Sequence, residues 1–150
     1  MILVFGKKYE QVLVNNLDFS YGVSILQDKL IINQFHTRSQ PDLLIERFLK
    51  NTAQKYIIPR TQILAQKMAI KYARVSLKQQ KTRWGSCSSR GNLNFNWRLV
   101  HQLPAVIDYV IIHELAHRQE MNHSAKFWAL VRKFDLSYKL HRGVLKRTKM

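Results

Sequence analysis

The chain has 150 residues, 46% of them hydrophobic, and its 25 Lys and Arg against 9 Asp and Glu give a formal net charge of +16. This composition excludes a disordered chain, and no stretch approaches the roughly 18 consecutive apolar residues of a membrane span. The lone cysteine, Cys87, excludes an intrachain disulfide, and the first apolar run is too short for a signal peptide. We therefore expect one globular, cytoplasmic domain over residues 1–150.

The first 37 residues predict a small antiparallel sheet. β-Branched and aromatic residues fall in four short runs that are separated by turn residues such as Gly6 and Asp28. The predicted strands are residues 2–5, 9–14, 19–26 and 29–34. Because this N-terminal β region (1–37) holds no chemical motif, we expect it to be structural and place the catalytic part in residues 38–150.

Two helices are predicted next. Ser39 or Gln40 is expected at an N-cap with Pro41 in the first turn, and the apolar residues that follow recur at helical spacing. Pro59 predicts a break, after which residues 61–72 form a second, amphipathic helix with a basic face. That face either meets solvent or follows a phosphate track.

Two alternating segments, residues 74–79 and 92–97, predict strands that pair in one sheet. The glycines and serines of residues 82–91 mark a loop of special geometry between them. We expect the strand around Asn94 to Trp97 to bind an extended peptide by edge pairing.

Residues 113–117 spell H-E-x-x-H, the segment most informative about function. We predict one helix over residues 104–121, in which His113 and His117 point the same way toward one ion. Glu114 lies one step round the helix and can take a proton from a water on that ion, which is a general-base role. The motif therefore predicts a metal-dependent hydrolase.

His123 is the expected third ligand, because three imidazoles and an open position suit zinc. A straight helix would carry His123 away from the other two histidines, so the helix must end first. Asn122 is our candidate for a left-handed residue in the turn, and Ser124 is the expected N-cap of a following amphipathic helix over residues 125–134. Asp135 is the alternative third ligand.

Several other side chains have two possible roles. Cys87 is either an extra ligand for the metal or a small buried thiol. The hydroxyl of Tyr109 either stabilises an oxyanion or ends a side chain of the core. Tyr138, His141 and Arg142 are further candidates for the oxyanion group, and the sequence does not choose among them.

The basic charge is unevenly distributed. Between Glu46 and Asp108 the chain has no acidic residue but many Lys and Arg. A positive field of this size attracts polyanions, which predicts a possible nucleic-acid partner. The alternative is a solvated basic surface with only incidental, salt-sensitive affinity.

Five segments together resemble the YgjP-like metallopeptidase family. They are R-W-G-S-C at 83–87, N-W-R-L at 96–99, D-Y-V at 108–110 before H-E-L-A-H, N-H-S at 122–124 and F-W at 127–128. The resemblance implies a zincin-like α+β fold, with a short twisted sheet beside an active-site helix and the third ligand in the following turn. The family is also similar to SprT-like proteins, whose known members act near DNA.

Carried over residue by residue, the resemblance implies one zinc per chain, held by His113, His117 and His123, with Glu114 as the catalytic acid/base. Our candidates for substrate binding are Trp84, Asn96, Tyr109 and Arg142.

We therefore predict a zinc metallopeptidase that acts on a peptide or protein. One alternative is a nucleic-acid-associated protein with a zinc site, in keeping with an SprT-like role near DNA. Another is a metal-dependent phosphohydrolase acting on nucleotides. It ranks lower because two-metal sites for that chemistry are rich in carboxylates, and acids are few near this motif.

Overall fold

The computed structural model describes residues 1–17, 22–34 and 40–148. Seven strands, one 3₁₀ helix and four α-helices are found in this part of the chain, arranged as two sheets and a helical layer. The elements are β1 (Ile2–Val4), β2 (Lys7–Val14), β3 (Gly22–Leu26), β4 (Lys29–Asn33), α1 (Pro41–Met68), β5 (Arg74–Lys78), β6 (Gly85–Cys87), β7 (Asn92–Asn96), the 3₁₀ helix (Trp97–His101), α2 (Pro104–Ala116), α3 (Ala125–Phe134) and α4 (Tyr138–Arg147).

The N-terminal sheet is mixed, and the prediction of a purely antiparallel sheet was wrong. Its strand order is β1-β2-β4-β3, and β2 runs parallel to β4 while the other two pairs are antiparallel. β4 lies between β2 and β3, so the hairpin formed by β3 and β4 returns the chain beside β2 in the same direction. Alternating residues predict a strand but do not state its neighbour. The first residues of the predicted strand 19–26, and Ser39, lie outside the described part.

α1 is one continuous helix of 28 residues with Pro59 inside it, so the predicted break at Pro59 was wrong. Buried side chains before and after Pro59, among them Ala53, Ile57 and Leu64, hold the helix against the core on both sides of the proline. This packing outweighs the local cost of the missing N–H. The helix begins at Pro41 with Gln40 as its N-cap and ends at the left-handed Ala69.

We expect Pro59→Ala to raise the free energy of unfolding by about 1–3 kcal/mol, because alanine restores the N–H and suits a helix interior. Pro59 is exposed, so the change removes little packing. Urea unfolding measures the effect, with Lys55→Ala, also exposed on α1, as the control expected to change stability by less than about 0.5 kcal/mol. A Pro59→Ala protein of unchanged or lower stability would contradict the prediction.

The second sheet has the order β5-β7-β6, with β5 parallel and β6 antiparallel to β7. The predicted pairing of residues 74–79 with residues 92–97 is confirmed. β7 is the central strand, however, so the predicted edge pairing of a peptide with residues 94–97 was wrong, because β5 and β6 occupy both edges of β7.

α2 lies at the centre of the core, and its residues Ile107, Ile111 and Leu115 are fully buried. One face of α2 packs on α1, and further contacts are made with α3, α4 and β6. An ion pair fixes the approach of α1, since the Arg60 guanidinium donates two hydrogen bonds of 2.7 and 2.6 Å to the Asp108 carboxylate. In the described residues, no helix combines the length and apolar character needed to cross a bilayer.

Candidate active site

Three histidine side chains converge where α2 ends. Among the described residues, His113, His117 and His123 form a group in which one ring nitrogen of each residue lies within 4.8 Å of those of the other two. The Nε2 atoms of His113 and His123 are 3.1 Å apart. Two nitrogens on a tetrahedral zinc ion, each about 2.0–2.1 Å from the metal, are separated by roughly 3.3 Å, so the spacing suits such an ion.

Hydrogen bonds on the far side of the rings orient two of the histidines. Nδ1 of His117 donates a hydrogen bond of 3.1 Å to the Glu120 carbonyl oxygen. Nδ1 of His113 lies 3.4 Å from the Tyr109 hydroxyl. When Nδ1 carries the proton in both rings, each Nε2 is left with its lone pair toward the centre of the group, as metal ligation requires.

α2 ends at Ala116, five residues before the predicted end at 121, and this early end brings His123 back to the other histidines. Backbone hydrogen bonds form the turn after α2. The N–H groups of Gln119 and Glu120 both donate to the Ala116 carbonyl oxygen, each over 3.0 Å. Asn122 is not left-handed, since Phe5, Gln27 and Ala69 are the non-glycine residues with positive φ in the described chain. That part of the predicted turn was therefore wrong.

Ser124 caps α3 as predicted, and its Oγ accepts a hydrogen bond of 3.3 Å from the Phe127 N–H. Asp135, the alternative third ligand, lies outside the histidine group. One of its carboxylate oxygens is 2.7 Å from Nδ1 of His141, and the other accepts a bond of 3.0 Å from the Ser137 N–H.

Burial favours the neutral form of two of the imidazoles, those of His113 and His117. Burial, together with the nearby charges of His117, His123 and Arg142, lowers the pKa of His113 to about 3. Burial also lowers the pKa of His117, against the opposing hydrogen bond to the Glu120 carbonyl. Neutral imidazole is the form that binds a metal, so these shifts favour ligation.

Glu114 is buried beside the histidines, with 7% of its surface exposed. Burial raises the pKa of its carboxyl to about 8, and the positive charge of Arg83 opposes the shift. Gly85 of β6 covers this carboxyl so closely that a Cβ there would lie 2.8 Å from Cγ and from Oε1 of Glu114. The sequence places Gly85 in the predicted loop over residues 82–91. The neighbouring sequence does not show that this glycine leaves room for a side chain distant in the sequence.

Aromatic rings of α3 form the floor under the histidines. The fully buried Phe127 ring stacks on His117, with 4.5 Å between ring centres, and meets both His113 and His123 edge-on at 4.9 Å. Trp128 stacks on His123 at 5.8 Å. The sequence places these two residues in the predicted amphipathic helix over residues 125–134, without a role at the site.

Two depressions flank the group. A cleft of about 450 Å³ is lined by the candidate residues Trp84, Tyr109 and Arg142 together with His113 and Glu114. A second one, of about 370 Å³, contains all three histidines. Both depressions are bounded by Arg83, Gly85, His113 and Glu114, so they lie side by side, and we call the two together the groove.

The remaining candidates lie as follows. Asn96 is fully buried, and its amide donates hydrogen bonds to the carbonyls of Gln80 (2.8 Å) and Arg83 (3.3 Å), which supports the loop rather than facing the groove. Cys87 is half-buried in the second depression, its thiol bonded to the Ser88 carbonyl, and burial raises its pKa. The histidine group does not include Cys87 in the described chain.

β6 offers a free edge to the groove. Trp84 accepts a backbone hydrogen bond of 2.8 Å from β7, and Ser88 donates one of 3.0 Å to it. Because pairs alternate along an antiparallel ladder, the backbone groups of Gly85 and Cys87 point away from β7. No other described strand pairs with this edge, so it can receive an extended chain.

Two solved structures share the fold. The metallopeptidase zymogen abylysin of Pyrococcus abyssi is 21% identical, with 62% of this chain and 96% of that chain covered and a TM-score of 0.54. The metallopeptidase zymogen jannalysin of Methanocaldococcus jannaschii is 20% identical, with 61% and 94% covered and a TM-score of 0.53. No curated protein matches the chain.

These neighbours confirm the predicted zincin-like α+β fold. The comparison with protein families gives a match over nearly the whole chain, described as "YgjP-like, metallopeptidase domain", across residues 1–148. A match of this extent includes both sheets, the histidine group and all four helices. This chain therefore belongs to the YgjP-like metallopeptidase family.

Proposed function

We propose that this chain is a zinc peptidase in which His113, His117 and His123 hold one ion and Glu114 is the general base. The observation that carries the proposal is the convergence of three imidazoles beside the buried carboxyl group of Glu114. Three nitrogen ligands with an open position are typical of catalytic zinc, whereas structural sites are closed by four protein ligands.

When bound, zinc supplies Lewis acidity to a substrate carbonyl and lowers the pKa of water. The Glu114 carboxylate lies within the groove and accepts a proton from the attacking water, then passes it to the leaving amine. Tyr109 keeps the His113 ring oriented through its hydroxyl. The free edge of β6 holds the substrate backbone extended beside these groups. Pairing with β6 replaces the pairing with β7 that the sequence predicted.

Metal content tests the zinc assignment. We expect elemental mass spectrometry to find about one zinc per chain in untagged protein purified without added metal, and His123→Ala to lose most of it. His101→Ala is the matched control, because the His101 ring forms a hydrogen bond with the Leu3 carbonyl and is not part of the histidine group. A folded chain that neither carries nor takes up zinc would overturn the assignment.

Peptide cleavage tests the activity. A mixed set of fluorogenic peptides should be cleaved by the purified chain, the cleavage should stop in a chelator, and added zinc should restore it. Cleavage that continues in the chelator would contradict the proposal.

Gly85→Ala should lower peptide cleavage by about 10²-fold with little loss of stability. The new Cβ displaces the flexible end of Glu114 rather than backbone, and a misplaced catalytic group costs about this much. Steady-state kinetics and thermal unfolding measured together test the prediction, with the adjacent Ser86→Ala as the control. A Gly85→Ala chain of full activity would show that the close contact does not position Glu114.

A further inference from the structure

Three cationic side chains surround the cleft beside the histidine group. Arg83 comes from the loop before β6, and Arg142 and Lys146 lie four residues apart on one face of α4. None of the three has a carboxylate within 4.0 Å in the described residues, where the ion pairs are Lys50–Glu46, Arg60–Asp108 and His141–Asp135. We call Arg83, Arg142 and Lys146 the basic rim.

The basic rim lies close to the reacting groups. The guanidinium carbon of Arg142 is 4.8 Å from the centre of the Trp128 ring, and this stacking holds it beside the aromatic floor of the site. Arg83 borders both depressions, so it lies where the groove passes Glu114. An anion bound by the rim would therefore lie next to the bond that is cut.

Part of the lining of the same cleft is apolar. Trp84, Tyr109, Val110 and Leu145 line it together with the basic rim. At about 450 Å³ the cleft suits one or two amino-acid side chains. A lining that combines apolar side chains with cations fits a group that has a hydrocarbon stem and a carboxylate, such as the side chain of Glu.

We propose that the basic rim binds a carboxylate of the peptide substrate beside the scissile bond. The carboxylate is either the side chain of an Asp or Glu residue or the C-terminal carboxylate of the peptide. This proposal rests on the proposed peptidase function and specifies its substrate class. The three cations converge on one cleft instead of following a track, which favours a single carboxylate over the backbone of a nucleic acid.

Matched peptides test the proposal by cleavage. We expect a peptide with Glu at the residue held in the cleft to be cleaved with a kcat/KM about tenfold above that of the same peptide with Gln. A second pair, with a C-terminal acid or amide, distinguishes the two sources of the carboxylate. Arg142→Gln and Lys146→Gln should each reduce the preference, whereas Lys139→Gln, exposed on α4 outside the cleft, should leave it unchanged.

Binding gives a second measurement that does not depend on turnover. Isothermal titration of the same peptides into zinc-loaded Glu114→Gln protein should show an acidic preference of about tenfold, which Arg83→Gln in that background reduces. Equal affinity for the acidic and neutral peptides would overturn this proposal. If neutral peptides are cleaved as well as acidic ones, the carboxylate proposal fails while the peptidase function stands.

The opposite result is also distinguishable. If acidic peptides bind with the expected preference but no peptide is cleaved, the carboxylate site stands and the peptidase function fails. If inorganic diphosphate or a nucleoside triphosphate displaces the acidic peptides and is itself hydrolysed, the rim serves a phosphate substrate and the carboxylate proposal is overturned.

Discussion

Glu114→Gln should lower kcat for peptide cleavage by about 10²- to 10⁴-fold, the range that a general base contributes. Glutamine has nearly the same shape as glutamate but cannot accept the proton. The carboxyl is buried and its pKa is raised to about 8, so its environment tolerates a neutral group. We therefore expect the variant to fold normally and to bind zinc as tightly as the unchanged chain, with the loss confined to turnover.

Glu120→Gln is the matched control. Glu120 follows the motif, and its backbone carbonyl, not its carboxylate, accepts the hydrogen bond from His117. Its amide variant should therefore keep both zinc and activity. If Glu114→Gln cleaved peptides at the rate of the unchanged chain with equal zinc content, another group would have to be the general base.

The histidine group could be predicted because its information is local. The four-residue spacing of His113 and His117 fixes their common face once α2 forms, and Ser124 marks where the next helix begins. The turn between α2 and α3 had only to be short for His123 to return to the other two histidines. How it is built was not predictable from Asn122, since successive backbone bonds to the Ala116 carbonyl end the helix without a left-handed residue.

Features that depend on distant contacts could not be predicted in the same way. The local sequence predicts that Pro59 ends a helix. The helix continues because α1 packs on the core on both sides of the proline, and this packing involves residues distant in the sequence. β7 reads as a strand, but its central position depends on β5 and β6. The division of the chain at residue 37 stays a prediction.

The basic rim also depends on contacts between residues that are distant in the sequence. The sequence predicted a positive field and named Arg142, yet α4 itself had not been predicted, so nothing placed Lys146 one turn after Arg142. Arg83 lies about sixty positions earlier in the chain and reaches the same cleft only because β6 packs on α2. The overall charge of +16 therefore does not identify a site by itself, because the fold decides which of the cations lie at the cleft.

Phe127→Ala should lower the free energy of unfolding by about 3–5 kcal/mol, the usual cost of removing a fully buried phenylalanine. Phe127 has no exposed surface, and its ring touches all three histidines. The loss should therefore reach the proposed zinc site as well, because we expect the imidazoles to keep their positions only while the ring supports them. Urea unfolding of the chelated protein measures the first effect.

The milder variant Phe127→Leu separates the effect on the site from the effect on stability. Val131 is equally buried on the same helix, one turn away, but has no ring against the histidines. Phe127→Leu and Val131→Ala should each cost on the order of 1–2 kcal/mol, but only the former should weaken zinc binding, by about tenfold, in competition with a chelating dye. Equal zinc affinity in both variants would mean that Phe127 stabilises the core without positioning the ligands.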